Sequence, residues 1–265
     1  MPKIIEIFWK NRALIFRMAY KELTDRYAGS ALGLFWALFY PLFLVGIYTL
    51  IFTFIFQVKI SPGSTPLQYA FYAVIGLIPW ITMQEGLVKT TNSVISNANL
   101  VKQVIFPVDI LPIISIVVSF LTLIIGLIIY LITMAFVSPA NFTAIFFLLP
   151  IVILIHFIFL VGTGWILAAL AVYFRDLKEL ISIILLIGMF VTPVLYLESS
   201  IPAAFKIPIL LNPMTHLINM YRDVIFYGSI NHPWSFVIFG LLAILIFFAG
   251  FQCFQKLKYF FANVL

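Results

Sequence analysis

Few residues of this chain have side chains suited to chemistry, and where they are missing is informative. From Ile110 to Phe174 the chain runs 65 residues without Asp, Glu, Lys or Arg, and His156 is the one histidine of that stretch. Pumps and secondary transporters place acids, bases or histidines inside the bilayer to couple ions to substrate. A lone histidine in an apolar span more often makes an interhelical hydrogen bond than relays protons, and His156 is read so. No G-x-x-x-x-G-K-[ST] occurs, so the chain does not itself hold ATP in a phosphate-binding loop. No H-E-x-x-H and no Ser/His/Asp arrangement is found. Beyond the N-terminal segment the acids on the inner side are Glu85, Asp109, Asp176 and Glu179, and they sit in polar loops. Cys253 is the single cysteine, which excludes a disulfide scaffold and a cysteine-based metal site. It lies in an apolar run and is expected to be a buried thiol. The chain reads as a conduit without a motor, and active transport through it needs a partner that supplies the energy.

The elements that position these residues are membrane spans. Of 265 residues 64% are hydrophobic and 9% charged, and mean hydropathy is +1.18. A soluble domain is nearer half apolar and a quarter charged, so a soluble enzyme, a disordered chain and a nucleic-acid-binding module are excluded. The formal charge of +6 is a topology signal. Charge-free stretches long enough to cross the roughly 30 Å hydrocarbon layer place six spans, at 32–56, 67–84, 110–137, 142–172, 180–197 and 234–255, in one integral domain, 1–265. The 65-residue run divides at Ser138-Pro139-Ala140-Asn141, where proline and asparagine favour a turn. The fold class is all-α and polytopic.

Between the last two spans the chain is apolar but carries Pro208, Asn212, Pro213, His216, Asn219, Arg222 and Asp223, which are costly in lipid. Asn212-Pro213 reads as an N-cap followed by proline at the first helical position. The expectation is a short helix over 214–226 that dips into the membrane and returns, its backbone shielded by protein or water. With six spans, Lys59, Lys206 and Arg222 fall on one side and every other Lys and Arg on the opposite side. The positive-inside rule then makes both termini cytoplasmic. No cleavable signal peptide is expected, because the first span is too long for one.

On a helical wheel Lys3, Glu6, Lys10, Arg17 and Lys21 share one face, with Ile4, Ile5, Phe8, Trp9, Ile15, Phe16, Met18 and Ala19 around the rest. This is an interfacial amphipathic helix over 3–21. Arg12 falls on the apolar face, so either its side chain snorkels or the helix kinks there. Two inner loops offer contact surfaces. One is the 90–104 segment with Asn92, Asn97, Asn99, Lys102 and Gln103, read as a short helix across the cytoplasmic face. The other is the Tyr173–Glu179 loop with Arg175 and Asp176. In the first span Phe35, Phe39 and Phe43 repeat every fourth residue, with Trp36 and Tyr40 beside them. Such a stripe suits the C–H faces of sugar rings, and it equally suits lipid contact or packing. Gly29 and Gly33 form a G-x-x-x-G at the inner end of that span, a weak helix-dimer signal.

Several short motifs, in order along nearly the whole chain, resemble those of ABC-2-type permeases. They are the run from Arg26 to Trp36 continuing through Tyr40-Pro41-Leu42, Lys102-Gln103-Val104-Ile105-Phe106-Pro107 with Ile110-Leu111-Pro112, Tyr173-Phe174-Arg175-Asp176-Leu177, Thr192-Pro193-Val194-Leu195-Tyr196, and Asn212-Pro213-Met214 with Tyr221-Arg222-Asp223. Within that family they are most similar to the membrane subunits of exporters for lipid-linked polysaccharides such as O antigen, capsule and teichoic acid. The resemblance implies a homodimer in the bacterial cytoplasmic membrane, with two separate ATP-binding subunits that hold ATP and Mg, and no cofactor on this chain. It implies that Phe35, Trp36, Phe39, Tyr40 and Phe43 line a channel, and that Asn92, Asn97, Asn99, Lys102, Arg175 and Asp176 contact the ATPase. It implies an outer gate of re-entrant helices within Ile201 to Gly228, formed with Pro193, Tyr196, Asn212, Pro213, Arg222 and Asp223. The implied substrate is a polyprenyl-diphosphate-linked glycan, whose diphosphate would meet Arg26, with Lys21 or Arg17, through charge-assisted hydrogen bonds. An ABC-2 exporter of a drug, lipid or other small molecule is the alternative. A membrane acyl- or glycosyltransferase is the rival from another class.

Overall fold

In the computed structural model the described residues are all those except 1, 34, 58–59, 61, 103–105 and 138–142, with the side chains of 2–5 and 262–263 also left aside. These residues are overwhelmingly helical. The first segment forms two helices, α1 (Pro2–Lys10) and α2 (Arg12–Arg26), where the sequence predicted one. The chain breaks at Asn11, whose side-chain amide folds back to the Ile7 carbonyl at 2.9 Å. Arg12 turns back as well, donating to the Trp9 carbonyl at 2.8 Å with its guanidinium 4.6 Å from the Trp9 ring centre. The kink therefore accounts for the residue that spoiled the wheel. Ile15 and Ala19 are buried while Trp9, Phe16 and Tyr20 stay exposed, the arrangement of a helix lying at an interface. Residues 27–33 form turns, with Gly29 and Gly33 both at positive φ (79° and 52°). They are turn residues rather than a helix-packing stripe, which overturns the dimer motif.

Five described helices are long and apolar enough to cross a membrane. The first is α3 (Phe35–Leu50), extended by a π-helical turn over Ile51–Phe56. Next comes α4 (Pro66–Ser96), started by a reciprocal Thr65–Gln68 capping box with Pro66 at its first position. A single turn, α5 (Ala98–Val101), follows the break at Asn97. Residues 90–96 thus continue the span helix, with Thr90 and Thr91 buried, instead of starting the separate surface helix predicted over 90–104; residues 103–105 of that stretch lie outside the described ones. Then come α6 (Ile110–Val137) and α7 (Leu149–Tyr173), the latter preceded by a 3-10 turn at Ala144–Leu148. The predicted break at 138–141 lies outside the described residues. α8 (Leu177–Val191) ends six residues before its predicted limit. At 1.5 Å per residue its 15 residues reach about 22 Å, short of a full crossing. The helices α9 (Ala203–Leu211) and α10 (Pro213–Tyr221), the second prolonged by a π-helical turn over Arg222–Tyr227, precede α11 (Pro233–Leu257) and α12 (Phe261–Val264).

The core lies along α4, α6 and α7, with α11 against α7. Gly162 and Gly250 let α7 and α11 meet backbone to backbone, since a Cβ on Gly250 would stand 2.0 Å from the Gly162 carbonyl oxygen. This is the close approach that small residues provide between membrane helices. His156, fully buried on α7, sits 3.1 Å from the Tyr221 hydroxyl through Nδ1, the interhelical bond expected of it. Cys253 is half-buried rather than buried.

Candidate functional site: two polar clusters at the ends of α4

α4 carries a polar cluster at each end. At its N-terminal end the centre is Arg222, the first residue of the π-helical turn after α10, with 1% of its surface exposed. A buried guanidinium must find acceptors for its donors. Here Nη1 donates to the Pro193 carbonyl and Nη2 to the Val194 carbonyl, both at 2.7 Å, and Nε to the Tyr72 carbonyl at 3.4 Å. The charge lies 3.6 Å from the Tyr72 ring centre, a close cation–π contact. Gly76 makes room for it, because a Cβ there would stand 2.9 Å from both Nη2 and the Val194 oxygen. One side chain thus ties α4, the chain after α8 and the hairpin of α9 and α10. The carbonyls it takes follow directly on Val191, where α8 stops.

Around this node Asn212 caps α10 as the sequence predicted. Its side-chain oxygen accepts from Met214 N at 3.0 Å, with Pro213 at the first helical position, and its amide donates to Thr192 Oγ1 at 2.8 Å. The Tyr196 hydroxyl donates to the Val191 carbonyl at 3.0 Å. Asp223, fully buried, accepts from the His232 backbone N–H at 2.7 Å and faces His232 Nδ1 at 2.9 Å. The other ring nitrogen of His232 lies 3.4 Å from Glu198, whose second oxygen accepts from the Asn219 amide at 2.6 Å. The hydrogen bond to Asp223, then the one to Glu198, pushes the His232 pKa up to about 9, and the bond from His232 holds the Glu198 carboxyl below its usual range. All six residues predicted for the gate therefore gather at this end. Asn219, singled out in the sequence as costly in lipid, belongs to the same cluster, as do Tyr72, Glu198 and His232, which were missed. Their partners lie far apart in the chain, and the one local signal was the Asp223–His232 pair flanking Gly228, which has φ of 61°.

At the C-terminal end of α4 a cavity of about 650 Å³ opens between α2, α4, α5 and α6. Lys21, Arg26, Asn92, Asn97 and Lys178 line it together with Glu22 and Asp25. Arg26 pairs with Glu85, which also takes Lys89 at 2.9 Å. Burial pushes the Glu22 carboxyl above its usual range, against Lys89 nearby. Two of the three residues predicted to meet a diphosphate, Lys21 and Arg26, are thus brought together, and Arg17 lies outside the lining. Of the predicted ATPase contacts Asn92 and Asn97 share the cavity, while Asn99, Lys102, Arg175 and Asp176 are exposed outside it.

The aromatic stripe of α3 is placed differently. Phe35, Trp36, Phe39, Tyr40 and Phe43 are all exposed on the single chain, from 37% at Phe39 to 66% at Phe35. Of the most apolar 18 residues of this span 17% are buried within the chain, as in the α11 span, against 78% in α4.

Long apolar helices around an apolar core, with carboxylates, lysines and arginines gathered towards their ends, define a multi-pass integral membrane protein. The chain belongs to the ABC-2 type transporter family, whose pattern matches residues 13–226. Among curated proteins it is similar to the O-antigen export system permease protein RfbA of Klebsiella pneumoniae, 28% identical over 248 residues and 92% of each chain. It is also similar to the protein of the same name from Myxococcus xanthus, 27% identical over 266 residues and 99% of each chain.

Proposed function

We propose that this chain is the transmembrane permease subunit of an ATP-driven ABC exporter that moves lipid-linked polysaccharide of the O-antigen class across the cytoplasmic membrane. The observation that carries the reading is likeness to O-antigen export permeases along nearly the full length of both chains. Two copies would pair through the thinly covered α3, so that its aromatic stripe faces a shared channel. Two separate ATPase subunits would bind the face that carries the large α2/α4 cavity, holding ATP and Mg. On this reading α8 and the turn after it form the fifth crossing, both termini are cytoplasmic, and the Arg222 cluster faces outward. Lys21 and Arg26 would receive the diphosphate of the polyprenyl carrier, and movement of the cavity walls would be passed along α4 to the hairpin.

Deleting the gene in the source bacterium tests this. The expected result is loss of surface polysaccharide with lipid-linked glycan accumulating on the cytoplasmic side. Unchanged surface polysaccharide with altered efflux of a drug or lipid would replace it with small-molecule export.

A further inference from the structure

Beside the Arg222 node lies a second, smaller cavity of about 150 Å³, room for about five waters. It is lined by Tyr72, Glu198, Asn219, Arg222, Tyr227 and His232. Three features of the lining bear on what it would hold. Tyr227 is 38% exposed, so its ring is accessible, whereas Tyr72 is 2% exposed and closes the cavity behind the Arg222 guanidinium that covers its face. Planar polar groups stand beside these rings: the Glu198 and His232 side chains are about a third exposed, and each Glu198 oxygen has a lone pair beyond the one engaged by Asn219 or His232. The charges also balance. Arg222 and protonated His232 are set against Glu198 and, behind the ring, Asp223. An anionic group such as a diphosphate would meet a carboxylate already in place, and an apolar group would strand the polar ones. A neutral ring with C–H faces and vicinal hydroxyls satisfies both, because it stacks on the Tyr227 ring while the open lone pairs of Glu198 accept from the hydroxyls at its edge.

We infer that this cavity is a subsite for one neutral sugar ring of the exported glycan, seated between Tyr227 and the Glu198–His232 pair. The inference rests on the polysaccharide reading and deepens it. It gives the hairpin a chemical reason to respond to cargo, since a sugar held here touches the residues that fix α9, α10 and the start of α11.

Saturation-transfer NMR on the full chain in nanodiscs of deuterated lipid tests it, with the methyl glycosides of glucose, mannose, rhamnose and N-acetylglucosamine as probes and sorbitol as the acyclic control. At least one glycoside, and not sorbitol, should receive saturation at its ring C–H protons. Tyr227→Ser should weaken that binding roughly tenfold through loss of the stack, and Glu198→Gln should weaken it while keeping the Asn219 contact. Leu245→Val, on the exposed face of α11 and twelve residues beyond its start, should leave it unchanged. No signal from any glycoside, or equal signal in wild type and Tyr227→Ser, overturns the subsite. Gene deletion separates this from the parent reading. Lost surface glycan on deletion with no glycoside signal rejects the subsite alone, and glycan independent of the gene rejects both.

Discussion

At one end of α4, Tyr72 meets a buried guanidinium with three carbonyl acceptors; about 25 Å along the same helix, Lys89 and Asn92 face a cavity of about 650 Å³. The first cluster is centred on a buried charge and committed, while the second opens on the larger cavity. In the first, each polar group is held by another element, so none moves without its partner. In the second, Arg26 and Lys89 share one carboxylate at the surface and can be re-paired by an incoming group. The proposed permease, driven from one side, would use this asymmetry. The driven end must accept partners, and the far end must switch as a unit, which packed and bonded elements do more readily than they deform.

The comparison breaks most severely at Arg222. Replacing it with Met takes the guanidinium from the buried Pro193 and Val194 carbonyls and should destabilise the fold by about 3 kcal/mol, read as a lowered unfolding temperature in detergent. Arg222→Lys should recover only part, since an ammonium cannot reach the same three acceptors. Gly76→Ala comes next. Its Cβ would press on the guanidinium and on a backbone oxygen, and overpacking of this kind costs about 1–3 kcal/mol.

A smaller effect is a pH dependence confined to the Arg222 end. The His232 pKa is raised to about 9, from about 6.5 when unfolded. The stability it contributes is therefore full below about 6.5 and is lost as pH rises through about 9. Unfolding temperature should fall across that window in the wild type, and the fall should flatten in His232→Asn. The smallest stability effect belongs to the open end. Arg26→Ala removes a partly exposed ion pair and should cost no more than about 1 kcal/mol, yet glycan export should drop with dimer assembly intact. Normal export in that variant would remove Arg26 from the transport path.

Much of the fold was legible because hydropathy and capping are local. Five of the predicted spans coincide with long helices, and Asn212-Pro213 announced the start of α10 through cap chemistry that needs no tertiary information. The end of α8 was signalled locally by Thr192-Pro193, but the apolar run from Ile183 to Leu197 outweighed that stop signal in setting the span. The kink at Asn11 was half legible, because Arg12 spoiled the amphipathic wheel without saying how. At the Arg222 cluster the helix-breaking and charged members stood out as costly in lipid. Tyr72, Glu198 and His232 did not, since each is ordinary until brought beside the others. The aromatic stripe was visible as a stripe, but which face it turns to a partner depends on a second chain.

The most direct test of the central claim, a permease subunit driven by a separate ATPase, is gentle-detergent affinity purification of the tagged protein from its native membrane, with mass spectrometry of what comes with it. The account expects a stoichiometric P-loop ATPase. Repeated recovery of the chain without one would contradict it and leave a passive channel or a membrane enzyme in its place.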